Sequence, residues 1–178
     1  MAFDYNFFKS LALAVSEYMS VLQLSVSIQG VSEERRDYHQ VVAHFPDYSH
    51  FAVVMLDQNP CVIHVGKALV TYLTDQFLGA TSSDVLGDLP TITWTEQFVF
   101  KQLLEWLTHY FSERNVICDI QRIEHNNRNL HAFFHDETVS CVSIKLKIQA
   151  HSGTLIQFVF ADEDVIGDFP VRKIRKVE

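Results

Sequence analysis

Residues 66–96 read GKALVTYLTDQFLGATSSDVLGDLPTITWTE. Within this stretch Leu69, Val70, Tyr72, Leu73, Phe77 and Leu78 recur mostly at three- and four-residue steps, the spacing that buries one face of a helix. Gly79 follows where a left-handed helix terminus is wanted, because glycine carries no Cβ to clash there. Residues 80–90 are rich in Thr, Ser, Asp and Gly, the composition of an exposed loop. Thr93 and Glu96 then form the pattern of a capping box, in which a hydroxyl and a carboxylate satisfy the first amides of a new helix. The stretch is therefore a helix, a stop, a polar loop and a helix start.

Working outward, Phe7, Phe8, Leu11, Val15, Tyr18, Met19 and Leu22 mark an amphipathic helix over residues 5–21. The period then changes to two: Leu22, Leu24, Val26 and Ile28 alternate with polar residues, predicting a half-buried strand that ends at Gly30. Residues 32–43 predict a loop and a short helix. Residues 50–56 are continuously apolar and predict a central strand. Asp57-Gln58-Asn59-Pro60 predicts a turn and residues 61–65 a returning strand. The helix opened by Thr93 carries Phe100, Leu103, Leu104, Leu107 and Phe111 on one face. Phe98, Val99, Trp106 and Tyr110 widen that face, so that Trp106 or Tyr110 is a candidate partner contact beside the ordinary reading of a broad core face. Residues 116–124, 138–149 and 154–160 predict strands, with a hairpin turn at Ala150-His151-Ser152-Gly153.

The 178 residues suffice for one buried core, and 48% hydrophobic with 20% charged content is ordinary for a globular chain. We expect one domain over residues 1–165 and a basic tail over 166–178. The formal net charge is -8, and with the tail's Arg172, Lys173, Arg175 and Lys176 set aside the body is more acidic still. Such a body repels phosphate backbones, which argues against nucleic acid as a partner. Three widely spaced cysteines, Cys61, Cys118 and Cys141, form no thiolate metal pattern and fit a reducing compartment and core packing. The N-terminus lacks a basic region ahead of its apolar run, and no run is long enough to span a bilayer.

Leu69-Val70, Asp75, Phe77 and Gly79, followed by Thr93-x-x-Glu96, resemble the middle domain of the flagellar motor-switch protein FliM. That family reads Leu-Val, then Asp-x-x-Phe-Gly-Gly-x-Gly, a variable loop, and Thr-x-x-Glu opening a long helix. The likeness runs in order from about residue 7 to about residue 160. It implies an α+β fold: a three-layer α/β/α sandwich with pseudo-two-fold symmetry and a mostly antiparallel sheet, shared with the chemotaxis phosphatases CheC and CheX. A helix followed by strands does occur twice, from Tyr5 and from Thr93, without a convincing residue repeat.

The resemblance also implies a function. In the family the middle domain stands beside its neighbours in the switch ring and meets FliG through its glycine-rich loop. The corresponding positions here are Gly79, Ala80, Thr81 and Ser82, which keep the first glycine and replace the others with residues whose side chains obstruct close backbone approach. With Asp75 they are the partner-binding residues the resemblance carries over. The expectation is a non-enzymatic scaffold or adaptor docking at the flagellar motor switch or a related type III secretion basal body. Its partners would be FliG, neighbouring FliM-like subunits or a CheY-like regulator, with self-association among the options. It would be cytoplasmic, peripheral to the inner-membrane basal body, without a cofactor. The family's N-terminal CheY-capturing peptide and C-terminal FliN-pairing domain have no counterpart in these residues, as expected of either an excised fragment or a naturally short, divergent relative.

Two alternatives accompany that expectation: a CheC/CheX-like phosphatase of a phosphorylated response regulator, and a mimic that regulates ring assembly. The phosphatase signature resembles Glu-x-x-Asn on a helix, where the amide orients water. Glu17-Tyr18-Met19-Ser20 and Glu96-Gln97-Phe98-Val99 occupy the candidate helices and lack the Asn; Glu124-His125-Asn126-Asn127 has the spacing at a strand end. His131 and His135 have metal-ligand spacing with His125 as the nearest third candidate, but no helix signal surrounds them. His44 and His50 flank a Pro46-Asp47 loop. No catalytic and no metal residue is assigned.

Overall fold

The computed structural model describes residues 3–79, 91–131, 134, 138–148 and 151–161. The expected tail, residues 166–178, and the domain boundary at 165 lie outside these. Helix α1, Tyr5–Val21, starts at Asp4, whose carboxylate accepts the Phe7 N–H at 2.8 Å. It lays Phe8, Leu11, Val15 and Met19 into the core. Leu22 and Leu24, expected in a strand, instead finish the helix. Gln23 takes φ 59°, its N–H donates to Ser20 O at 2.9 Å, and the Leu24 N–H donates to Met19 O at 2.9 Å. Those amides are spent on helix carbonyls and are lost to a sheet.

Strand β1 therefore spans Val26–Asp37, and it does not stop at Gly30. A bulge between Ile28 and Gly30 lets it run on through the charged segment as far as Asp37. Asp37 caps the short helix α2, Tyr38–His44, by accepting the Gln40 N–H at 3.1 Å. Strands β2, Tyr48–Leu56, and β3, Asn59–Val65, form a hairpin whose two turn residues, Asp57 and Gln58, have φ 48° and 72°. Both being positive is what a twist-matched two-residue turn requires. After α3, Lys67–Phe77, and α4, Trp94–Ser112, come β4, Cys118–Asn126, a 3-10 turn at Asn127–Leu130, β5, Thr138–Ile148, and β6, His151–Ala161. His151 and Ser152, expected in a turn, already pair with Ile148 and Lys147.

Among the described residues six strands form one sheet in the order β1-β5-β6-β3-β2-β4, and every neighbouring pair is antiparallel. Exchanging β1 with β4, β2 with β5 and β3 with β6 reverses this order onto itself, so a pseudo-two-fold axis passes between β3 and β6. The helix exits repeat the symmetry. At the end of α4, Asn115 takes φ 58° and the Val116 N–H donates to Phe111 O at 2.9 Å, the counterpart of Gln23 and Leu24. Leu24 and Val116 are both buried, closing each helix end with an apolar contact.

The two sheet faces differ. Helices α1, α3 and α4 cover one face over a core that includes Phe8, Phe100, Phe111, Phe158 and Phe160. Helix α2 and the 3-10 turn cover part of the other, around Tyr38, Phe51, Val62 and Val159. The fold is an α+β three-layer sandwich with layers of unequal depth.

Two buried histidines set how this core responds to acid. His50, on β2, has both ring nitrogens without a hydrogen-bond partner among the described residues and lies 5.1 Å from the Phe100 ring and 5.2 Å from the His125 ring, centre to centre. Burial, reinforced by the His125 charge, pushes its pKa down to about 3. His64, on β3, bonds Ser49 Oγ through Nε2 at 2.8 Å and Gln157 Oε1 through Nδ1 at 3.0 Å. Burial pushes it down to about 4, against a smaller opposing effect of the Gln157 bond. Both histidines are neutral in the folded protein at neutral pH, whereas an unfolded histidine titrates near 6.5.

Stability should thus be complete above about pH 6.5 and decline as pH falls toward 4, by up to about 1.4 kcal/mol per pH unit for each histidine. Denaturant titrations at a series of pH values measure this, and His64→Gln should flatten the slope; an unchanged slope rejects the assignment. Because His50 is buried without partners, His50→Leu should leave stability unchanged or raise it by roughly 1 kcal/mol. A loss of stability on that change would show that its nitrogens are satisfied in solution.

Candidate docking site

Helix α3 buries Leu69, Val70, Tyr72 and Leu73, as the periodicity predicts, and its burial stops at Thr74. Phe77 and Leu78 continue the apolar pattern yet are exposed at 59% and 70%. The period tells which face an apolar residue takes; it does not tell how far the neighbouring core extends along the helix. Asp75 is half-buried on the same last turn. Gly79 takes φ 74° and donates its N–H to Gln76 O at 3.0 Å, ending the helix. A Cβ built on Gly79 would meet nothing within 4 Å among the described residues, so against these the position needs glycine for its backbone angle and not for space. Ala80, Thr81 and Ser82, the rest of the expected contact, lie outside the described residues.

The next helix is fixed by one carboxylate. Thr93 Oγ1 accepts the Glu96 N–H at 3.2 Å, and Glu96 Oε2 accepts from the Thr93 N–H at 2.8 Å and the Thr93 hydroxyl at 3.0 Å. The capping box read from the sequence is complete. The other oxygen, Oε1, accepts from the Thr71 hydroxyl on α3 at 2.6 Å. Burial alone would raise the Glu96 pKa, but the bonds from Thr71 and Thr93 outweigh it and hold the carboxyl below its usual range. Glu96 thus caps α4 and ties its first turn to α3. The sequence revealed the cap; the tie to Thr71, twenty-five residues away, left no local signal.

The first turn of α4 is therefore held to the first half of α3, and the two helices carry exposed apolar side chains next to residues 80–90 in the sequence. Trp94 is 87% and Phe98 62% exposed, opposite in sequence to Phe77 and Leu78. Sequence reading placed Phe98 among residues widening the core face of α4. Its nominated surplus is used internally instead: Trp106 stacks on Tyr18 of α1 at 4.6 Å, and Tyr110 is buried beneath the Arg114 guanidinium, 3.5 Å from its ring centre.

Catalytic arrangements do not assemble from the other candidates. Glu17 is exposed on α1. Asn126 accepts the Arg128 N–H at 2.9 Å and Asn127 donates to Phe45 O at 3.0 Å, so both amides of the Glu124–Asn127 pattern hold backbone. The row Ser49, His64, Gln157 has the order of nucleophile, base and orienting group, but Ser49 is fully buried and no substrate reaches it. His131 is exposed and His135 lies outside the described residues; among the described residues no three potential ligands gather around a metal-sized space. His50, read beside a loop, is inside β2. No helix of the described residues is long and apolar enough to cross a membrane.

No protein-family model and no curated protein matches the chain. Solved structures do. The FliM middle domain from H. pylori aligns with a TM-score of 0.67 and 15% identity, over 84% of this chain and 83% of that one. A FliG–FliM complex from H. pylori aligns at 0.65 and 17% identity, over 82% of this chain and 83% of the other. The FliM middle domain (51-229) from Vibrio alginolyticus aligns at 0.62 and 17% identity, over 84% and 86%. With its strand order, its pseudo-two-fold axis and its paired helix exits, the chain has the fold of the FliM middle domain.

Proposed function

We propose that the protein is a non-enzymatic scaffold or adaptor that docks proteins at the flagellar motor switch or a related type III secretion basal body. The observation that carries this reading is the corner between α3 and α4, two helices tied by Glu96 through Thr71, with Phe77, Leu78, Trp94 and Phe98 exposed on either side of residues 80–90 in the sequence. Exposed aromatic residues on a rigid support are the usual anchors of protein interfaces. Asp75 and Gly79 lie on and just after the last turn of α3, and Ala80, Thr81 and Ser82 follow them in the sequence; we assign all five to the docking surface. Solved relatives of the same fold include a FliG–FliM complex and a FliM–SpeE complex, which supports protein partners for this fold and makes a FliG-like protein the first to try. In this reading the protein acts in the cytoplasm, at the membrane-proximal ring.

Binding of FliG from the same cell, followed by calorimetry, tests the surface. Trp94→Ala combined with Phe98→Ala should weaken binding by about tenfold or more without lowering stability, since neither side chain is buried. Replacing Ala80, Thr81 and Ser82 together should also weaken it. Unchanged affinity in both variants would remove this corner as the docking site. Gly79→Ala should cost about 1 kcal/mol of stability through its positive φ alone, read by denaturation. Decay of a phosphorylated response regulator should not accelerate at stoichiometric protein.

A further inference from the structure

On the sheet face opposite α3 and α4, helix α2 covers only part of the strands. Beside it lies a cavity of about 260 Å³, walled by Val41 of α2 and Phe45 just after it and floored by side chains of β1, β5 and β6. Its polar groups are fixed from behind. Neutral His64 donates through Nδ1 to Gln157 Oε1, and this turns the Gln157 amide so that Nε2 donates to Ser143 Oγ at 3.0 Å. Ser143 therefore accepts, and its own proton has no acceptor among the described residues. Lys145, half-buried two residues along β5, has no ion pair or hydrogen bond among the described residues and pairs across the sheet with Gly30, which has no side chain.

Two acceptors in the lining are engaged: Gln157 Oε1 receives His64, and Oε2 of Glu34 is held by Arg36 in an ion pair, while the other Glu34 oxygen and His44, whose Nδ1 donates to Gln40 O at 2.6 Å, also border the cavity. The donors facing the cavity outnumber these: the Lys145 ammonium, the Ser143 and Ser32 hydroxyls, and further N–H groups of Arg36. A group of acceptors carrying negative charge completes such a set, and an ammonium with hydroxyls beside it is how oxyanions are held. The space is below that of a drug-sized pocket, which limits the occupant to a small molecule.

We infer that this cavity binds one oxyanion, the carboxylate or phosphate group of a small molecule, through Lys145, Ser143 and Arg36. The site faces away from the docking corner, so it stands or falls independently of the function proposed above.

Calorimetric titration with inorganic phosphate and, separately, with malonate tests it, at ionic strength held constant with chloride. Saturable binding of at least one anion is expected, and whichever binds more tightly identifies the source of the group. Lys145→Gln should weaken binding by about tenfold, the loss of one charge-assisted hydrogen bond. Ser143→Ala should weaken it less, with no change of charge. Lys147→Gln, an equal change of charge on the same strand outside the cavity, should alter it by less than about twofold. If neither anion saturates, or if Lys147→Gln weakens binding as much as Lys145→Gln, the site does not exist and the attraction is diffuse.

Discussion

The ladder between β3 and β6 is the constraint on which the remaining architecture rests. Cys61 to Val65 pair with Phe160 to Ile156 in the middle of the sheet. Ile63, Phe158 and Phe160 pass into the core under the three long helices, while Val62 and Val159 pass into the core under α2. Strands buried on both faces must be apolar on both, and β3 and β6 are so apart from the bonded pair His64 and Gln157. On either side of the ladder stand the hairpins β2–β3 and β5–β6, and each is edged by the first strand of the opposite half of the chain. The halves are interleaved, so each layer of core contains residues from both.

This arrangement gives the molecule two unlike working faces. The deep layer of α1, α3 and α4 leaves apolar side chains over at the end of α3 and the start of α4, and Glu96 spends both of its oxygens capping α4 and holding it to Thr71 of α3. The thin layer of α2 leaves polar strand residues uncovered, and the chain from Ser49 through His64 and Gln157 to Ser143 organises them. Polar groups in the interior thus carry order outward to each surface: a carboxylate toward the helices, an imidazole toward the open sheet. Both rely on being in one protonation state at neutral pH, Glu96 charged and His64 neutral.

Much of the fold was legible in the sequence because its signals are local. The helix over residues 5–21, the capping box at Thr93, the positive φ at Gly79 and the alternation along β5 are written in spacings of two to four residues. The misreadings arise where a distant partner decides. Leu22 and Leu24 alternate like a strand, yet the end of α1 claims their amides. Gly30 looked like a stop, yet β5 offers a partner on which the strand continues past a bulge. Phe77 and Leu78 fit the buried stripe, but the core beneath α3 is already finished. Of the expected docking residues, Asp75 and Gly79 sit on and just after the last turn of α3, whereas the exposure of Phe98 was hidden because the period put it on the widened core face of α4. The donor-rich cavity had no sequence signature, since β1, β5 and β6 bring its groups together from opposite ends of the chain.

The interleaving has a consequence during synthesis. Strand β1 leaves the ribosome early, but the strand it pairs with, β5, is made only after α2, β2, β3, both later helices and β4 have followed. Until then the nascent chain holds an unpaired strand with Val26, Ile28 and Val31 awaiting their partners, an open invitation to a neighbouring polysome product. The charged run Glu33-Glu34-Arg35-Arg36-Asp37 occupies the second part of that same strand, where the cost of stripping water from charged side chains discourages premature burial. A segment that looks in the sequence like mere solvated surface thereby guards the chain through the interval before its sheet can close.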